Sequence, residues 1–270
     1  MSQPSETVLA ALWTKQHVEG WATAPAPDEL NELLRRLCRW RSRLLANTYI
    51  SRQGTEIHSG LFKGMDYLGV ATEGALAPRL LGTYESELHA HLERFAAQGL
   101  DCVIDVGCAE GYYAVGLARL MPEVTVYAYD IDERARSACA ALAAKNGVAD
   151  RVIVGGEFKP DGFEAFAGRR TLVMVDAEGA EVDILQPELS PALAGMNVIV
   201  ETHDVYRPDA KATMTERFSP THEIVEVHQQ PKTFEMPAWL DALPHLDQLL
   251  AVWEWRQRPT PWLVMRPKAG

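Results

Sequence analysis

Along the chain, apolar positions recur first with helical and then with strand-like spacing. In "DELNELLRRLCRWRSRLL", Leu30, Leu33, Leu34, Leu37, Trp40 or Arg41, Leu44 and Leu45 follow the i, i+3, i+4, i+7 pattern of a long amphipathic helix. Asp28, after Pro27, is its expected N-cap. Val8, Leu9, Leu12 and Trp13 predict a shorter helix before it, with "ATAPAPD" as the linker. Residues 54–82 are rich in glycine and predict loop with a short hairpin. "TYESELHAHLERFAAQG" predicts a further helix, capped at Thr83, with Glu85 and Glu87 in its first turn and a stop at Gly99.

From residue 101 the period changes. "CVIDVG", "VTVYAYD", "RVIVGG", "TLVMVD" and "MNVIVETHD" are short apolar runs. Helical stretches separate them: 112–121, "DERARSACAALAAKNG", and a short piece near 163–166. Strands buried on both faces and alternating with helices predict βαβ units. The expected class is therefore α/β, a parallel sheet with helices on both sides. In the last quarter "HEIVEVH" alternates polar and apolar, "PAWLDALPHLDQLLAVWEW" is helical but broken at Pro244, and "PWLVMRP" is a closing strand. Trp239, Trp253, Trp255 and Trp262 fall here, either as core or as an aromatic pocket wall.

The 270 residues suit one large α/β domain with additions. With 26 basic and 37 acidic residues the net charge is −11, which disfavours nucleic acid and anionic membranes as partners. No apolar run reaches the roughly 18–20 residues of a membrane span, and no signal peptide is expected at the N-terminus. Cys38, Cys102, Cys108 and Cys139 form no CxxC pair and read as free thiols of a reducing compartment; a cytoplasmic location is expected. Arg35, Arg36, Arg39 and Arg43 form the polar face of the long helix. They are either a solvated face or a surface for an anionic partner or substrate.

The first motif is "VIDVGCAEGYYA", a strand, a tight turn and a helix. Gly107 and Gly111 allow a sharp turn at the carboxyl end of a parallel strand, where open α/β sheets bind ligands. The pattern Asp105-x-Gly107-x-x-x-Gly111 is not the dinucleotide fingerprint, and Glu110 inside the loop repels a pyrophosphate but suits an ammonium group. Asp130, about 20 residues on, is placed to accept from ribose hydroxyls. A ligand with a ribose, a cationic amine and no pyrophosphate fits S-adenosylmethionine better than NAD.

The second motif is "LVMVDAEGAEVDIL". In one reading Asp176 caps a helix and Glu178 and Glu181 occupy its first turn. In the other, Asp176 and Glu178 join Glu201, His203 and Asp204 of "ETHD" at two adjacent strand ends. That hard-ligand set suits Mg²⁺ or Mn²⁺, with Asp176, Glu201 and His203 as ligands. Without metal, His203 is the expected general base, titrating near neutrality and oriented by Asp176 or Glu201. Glu181 reads as helix-terminal electrostatics.

Together "VIDVGCAEGYYA", "VYAYDID", "RVIVGGE", "LVMVDAEGAEVDIL" and "VIVETHD" resemble class I S-adenosylmethionine-dependent methyltransferases, most closely the FkbM-like group with its Asp-x-Glu-Gly-x-Glu signature. The resemblance covers roughly residues 80–204. It implies a Rossmann-like three-layer sandwich: a seven-stranded, mostly parallel sheet with an antiparallel last strand, plus an N-terminal helical extension. Asp105, Gly107, Cys108, Ala109, Glu110 and Gly111 would then shape the cofactor loop, with Asp176 beside them. Asp130 would hold the ribose, Ile131 would lie against the adenine and Glu157 near its amine, while Tyr84 and Glu85 close over the cofactor. The expected division is 1–60 as a helical cap or dimerisation segment and 61–270 as the methyltransferase domain. The expected activity is O-methylation of a hydroxyl or carboxylate on a small molecule, of the kind met in natural-product biosynthesis, by a homodimer. The alternatives are N-methylation and a nicotinamide-dependent oxidoreductase.

Overall fold

A computed structural model describes residues 5–21, 24–72 and 74–268. The expected linker lies partly outside them, at Ala22 and Thr23. The helices are α1 (Glu6–Glu19), α2 (Pro27–Gln53), α3 (Leu76–Leu81), α4 (His89–Ala96), α5 (Tyr112–Leu120), α6 (Glu133–Lys145), α7 (Glu181–Ile184), α8 (Ala210–Phe218), α9 (Ala238–Asp241) and α10 (His245–Ala251). The strands are β1 (Cys102–Val106), β2 (Thr125–Tyr129), β3 (Val152–Gly155), β4 (Thr171–Val175), β5 (Asn197–Glu201), β6 (His222–Val227) and β7 (Trp262–Pro267).

All seven strands form one sheet in the order β3-β2-β1-β4-β5-β7-β6. Pairing is parallel from β3 to β5, and β7 runs antiparallel to both β5 and β6. The apolar strands lack polar alternation because both sheet faces are covered. Val103, Leu172, Met174, Ile199, Trp262 and Val264 pack on one side with Leu45, Tyr49, Leu92, Phe95, Leu117 and Leu142. Their neighbours Ile104, Val173, Val175, Val198, Leu263 and Met265 pack on the other with Phe163, Leu185, Leu193, Met214 and Phe218. Period-two alternation thus survives as a choice between two hydrophobic layers. Among the described residues no helix is long and apolar enough to cross a membrane.

Several expected boundaries move. The cap of α2 is Ala26, whose N–H donates to Glu29 Oε2 at 2.7 Å, so Asp28 lies inside the helix. Thr83 caps nothing: a single 3-10 turn, Ser86–Leu88, precedes α4. Glu85, expected in a helical first turn, is fully buried with φ +48°. In the glycine-rich stretch the hairpin reduces to one bridge between Glu56 and Asp66, and α3 was not anticipated. Pro244 does break the late helix, into α9 and α10. α2 lies on α10, clamped by Arg41, whose Nε and Nη2 donate to both Asp247 oxygens at 2.7 and 2.6 Å.

The loops leaving β1 and β4 touch. Gly107 has φ +85°, and a Cβ there would stand 1.7 Å from the Asp176 carbonyl oxygen. Gly168, also left-handed at φ +77°, has nothing within 4 Å. Gly168→Ala should therefore cost only backbone strain, about 1 kcal/mol, and Gly107→Ala more than about 3 kcal/mol. Urea unfolding of the two variants checks this; equal losses would mean that the two loops are not in contact.

Candidate active site

Three loops at the carboxyl edge of the sheet build the site. The first follows β1. The N–H groups of Gly107 and Cys108 both donate to Tyr129 O, at 2.9 and 3.0 Å, which curls the loop against the end of β2. Ala109 and Gly111 are left-handed as well. Asp130 fastens this turn by accepting from Ala109 N–H at 3.0 Å and Asp132 N–H at 2.8 Å. Asp105 is 4% exposed, and its Oδ2 has no hydrogen-bond partner. Burial, then the charge of Asp130, push its pKa up to about 7.

Glu110 is buried and already engaged. It accepts from Tyr67 OH, from the Thr72 hydroxyl and from Thr72 N–H, and Arg79 Nε lies 3.5 Å away. Burial alone would raise its pKa, but Arg79, Thr72 and Tyr67 outweigh burial and hold it below the usual range. Its negative charge is thus balanced inside the protein. The argument that Glu110 repels a pyrophosphate loses its electrostatic basis, and the departure from the glycine fingerprint remains.

The second loop carries Tyr84 and Glu85 beneath the 254–260 segment. The Arg256 guanidinium bridges Glu85, Glu201 and Glu254, with Nε 3.1 Å from Glu254 Oε2. Tyr113 OH donates to Glu85, Glu85 N–H donates to Glu254 Oε1 at 2.9 Å, and Thr260 OH donates to Glu201 Oε1 at 2.6 Å. Lys232 joins Glu254 to Glu87 at 2.6 and 2.5 Å. Burial lifts the pKa of Glu85 to about 8; Arg256 opposes the rise, and Glu201 and Glu254 add to it.

The third loop joins β4 to α7, and it meets the end of β5. His203 is 3% exposed. Its Nε2 faces Glu201 Oε2 at 3.5 Å, Asp176 Oδ1 at 3.6 Å and Glu178 Oε2 at 3.7 Å; its Nδ1 is 3.5 Å from Glu181 Oε1. Neither the buried Asp176 Oδ1 nor His203 Nδ1 makes a hydrogen bond. Glu181 does open α7, as expected of a helix-end charge, but that is only part of its role. It is fully buried and ties the loops together, accepting from Gly179 N–H and His203 N–H, each at 2.8 Å. It turns inward because Glu178 and Gly179 are consecutive left-handed residues, at φ +48° and +103°. α7 starts only at Glu181, so Asp176 caps no helix either.

Burial opposes the His203 imidazolium, but Glu181, Glu201 and Asp176 prevail and raise its pKa to about 11. These acids favour the imidazolium, which sets the geometry against His203 as a neutral general base in the metal-free site. Desolvation, then Glu201 and Glu85, raise the pKa of Asp176 well above the carboxylate range. Glu201 is driven to about 2: burial opposes this, and His203 and Arg256 impose it. Among the described residues Asp176, Glu178 and His203 offer metal-capable atoms within 4.8 Å of one another. Glu201, the expected third ligand, lies outside this set and is held by Arg256.

Tyr84, Gly107, Ala109, Asp176, Glu201 and His203 line one cavity of about 580 Å³, with Glu178, Arg256 and Trp255. Asp105, Cys108 and Glu110 line a small pocket of about 30 Å³ that shares Arg79, Tyr84, Gly107, Ala109 and Asp176 with it. Gly111 serves packing: a Cβ there would meet Cys139 Sγ at 2.8 Å. Asp130, Ile131 and Glu157 line neither space; Ile131 is 82% exposed, and Glu157 is exposed and paired with Lys159 at 2.7 Å. Sequence reasoning missed Arg256, Glu254 and the inward turn of Glu181.

No family model matches the chain. No curated protein matches it. Among solved structures it is similar to an O-methyltransferase candidate from Klebsiella pneumoniae, at 11% identity over 97% of each chain and a TM-score of 0.49. It is also similar to an O-methyltransferase from Bacillus cereus in complex with SAH, at 11% identity over 99% of this chain and 93% of that one, TM-score 0.44. A third is TomG from Streptomyces achromogenes, an O-methyltransferase of tomaymycin synthesis in complex with SAM, at 14% identity over 67% and 81%, TM-score 0.45. Likeness this distant carries no argument about chemistry, which rests on the geometry above.

His203 gives that geometry a pH signature. Its folded pKa, about 11, exceeds the unfolded value of about 6.5. The folded state therefore holds the extra proton, and the stability it confers is complete below about pH 6.5 and lost as pH rises towards 11. With EDTA present, the melting temperature should fall from about pH 7 to about pH 10, and His203→Gln should flatten that fall by several degrees. Thermal melts across this range check it; an unchanged slope in the variant would place the titration elsewhere.

Proposed function

We propose that the protein is an S-adenosylmethionine-dependent methyltransferase of the FkbM-like kind, acting on an oxygen of a small molecule. The observation that carries this reading is the shared cavity, where the glycine loop after β1 and the acid–imidazole cluster at the ends of β4 and β5 line one space. The donor fits the residues present. Asp105 Oδ2 is a buried acceptor without a donor, as an ammonium group requires, and it lines the pocket of the glycine loop. When bound, the donor supplies a methyl group on a cationic sulfur, open to in-line displacement.

The chain's own residues then orient the acceptor and take its proton. Asp176 is the base in this scheme: its Oδ1, 3.6 Å from His203 Nε2, makes no hydrogen bond and is open to the acceptor's proton. His203, as imidazolium, holds negative charge at the reacting oxygen. Glu201, fixed by Arg256 and Thr260, stays ionised and sustains the His203 charge.

A second reading, with a divalent cation, is favoured by the spacing around Nε2. Three carboxylate oxygens stand at 3.5–3.7 Å, just beyond hydrogen-bonding reach. Oxygen and imidazole donors of this kind suit a hard divalent cation. Asp176, Glu178 and His203 would hold it, and it would supply Lewis acidity towards the acceptor oxygen.

Thermal shift separates the classes. S-adenosylhomocysteine at about 100 times its Kd should stabilise by about 2.7 kcal/mol, and NAD should not. Stabilisation by NAD alone would sink the methyltransferase reading. Mn²⁺ titration followed by electron paramagnetic resonance tests the second: wild type binds, and Asp176→Asn and Glu178→Gln each weaken binding by about tenfold or more. If wild type takes up no Mn²⁺, the metal-free scheme stands.

A further inference from the structure

The large cavity has a second wall with no part in the scheme above. Arg39 from α2, together with Trp255 and Arg258 from the segment before β7, lines it. Arg39 Nε and Trp255 Nε1 are both buried donors without a hydrogen-bond partner. Neither group can accept, so only an acceptor from outside can satisfy them. Arg39 is further strained electrostatically: burial first, then Arg35, Arg43 and Arg36, lower its pKa. Among the described residues neither Arg39 nor Arg258 forms an ion pair, whereas Glu201 and Glu254 of the same cavity are taken by Arg256 and Lys232.

The wall is built rather than incidental. Trp255 has φ +66°, an unfavourable conformation for a bulky residue that persists only when its surroundings impose it. Its two neighbours impose it here, since Glu254 and Arg256 are locked into the buried ion network on either side. The indole is thereby held against two guanidinium groups, those of Arg39 at 5.6 Å and Arg43 at 5.2 Å from its ring centre.

We propose that Arg39, Trp255 and Arg258 form a receptor for an anionic oxygen group, a carboxylate or phosphate, on the small molecule that enters this cavity. That this molecule is the methyl acceptor rests on the preceding reading. The donor has a carboxylate too, but Arg39 and Trp255 line the large cavity and neither lines the pocket of the glycine loop. The receptor thus selects an acidic acceptor and aims its far end towards the Asp176–His203 cluster.

The test follows the Trp255 indole N–H by ¹H–¹⁵N NMR of the full chain, assigned by its loss in Trp255→Phe. Inorganic phosphate and acetate are titrated separately at constant ionic strength. A saturable shift with either anion, weakened about tenfold or more in Arg39→Gln, is expected, and the tighter anion names the acceptor's acidic group. No saturable shift with either, or an unchanged affinity in Arg39→Gln, overturns the receptor. Calorimetry of S-adenosylhomocysteine with Arg39→Gln distinguishes the source: unchanged affinity supports the acceptor, and a parallel tenfold loss overturns that assignment in favour of the donor's carboxylate. Phosphate binding at this wall in a protein that binds no S-adenosylhomocysteine supports the receptor while the methyltransferase reading fails.

Discussion

The carboxyl edge of this sheet depends on Arg256. Glu85, Glu201 and Glu254 are at most 4% exposed, and one guanidinium meets all three. A buried carboxylate without a cation is strongly unfavourable, and removing one partner of such a set leaves the others uncompensated. A planar fork with five N–H groups can serve several acceptors at once, which a lysine cannot do with the same geometry. Through those contacts Arg256 connects the Tyr84–Glu85 loop, the end of β5 and the segment before β7, so the cavity walls are positioned by one charge balance.

That balance divides labour within the acid cluster. Glu201 turns one oxygen to Arg256 and Thr260 and the other towards His203. It stays ionised, and His203 is held as a cation by the acids around it. Asp176 also faces the His203 imidazolium, at 3.6 Å, but burial and the charges of Glu201 and Glu85 outweigh it and its pKa rises instead. Similar side chains thus acquire opposite proton affinities from their partners alone, the usual basis for separating an acid from a base in one site.

Much of the architecture was legible in the sequence because it follows from short-range periodicity. Runs such as "TLVMVD" and "NVIVETHD" could only be strands covered on both faces, and the two hydrophobic layers bear this out. The glycine loop and the acids after β4 were legible for the same reason, being adjacent to strand ends. Glu181 was placed at its helix end, but its inward direction was not legible, because it follows the backbone at Glu178 and Gly179, and a left-handed glutamate leaves no signature in the alphabet. Arg256 was missed because its three partners are 55, 171 and 2 residues away, so no local pattern announces it. His203 was found, but its charge was not, since a pKa belongs to the assembled field rather than to the residue.

Strain marks the site more sharply than any motif. Among the described residues five that are not glycine have a positive φ: Glu85, Ala109, Glu178, Asp209 and Trp255. Ala109, Glu178 and Trp255 line the large cavity, and Glu85 is bound to the arginine that closes it. Conformations of this kind persist only where other interactions hold them, and here the holders can be named: Asp130 for Ala109, Glu181 for the Glu178–Gly179 turn, and the Arg256 network for Glu85 and Trp255. The buried charges that look costly for stability are thus the restraints that keep the strained residues in place. Loss of the charge network would release the cavity walls before it disturbed the two hydrophobic layers beneath them, because the layers rest on apolar packing that does not share those contacts.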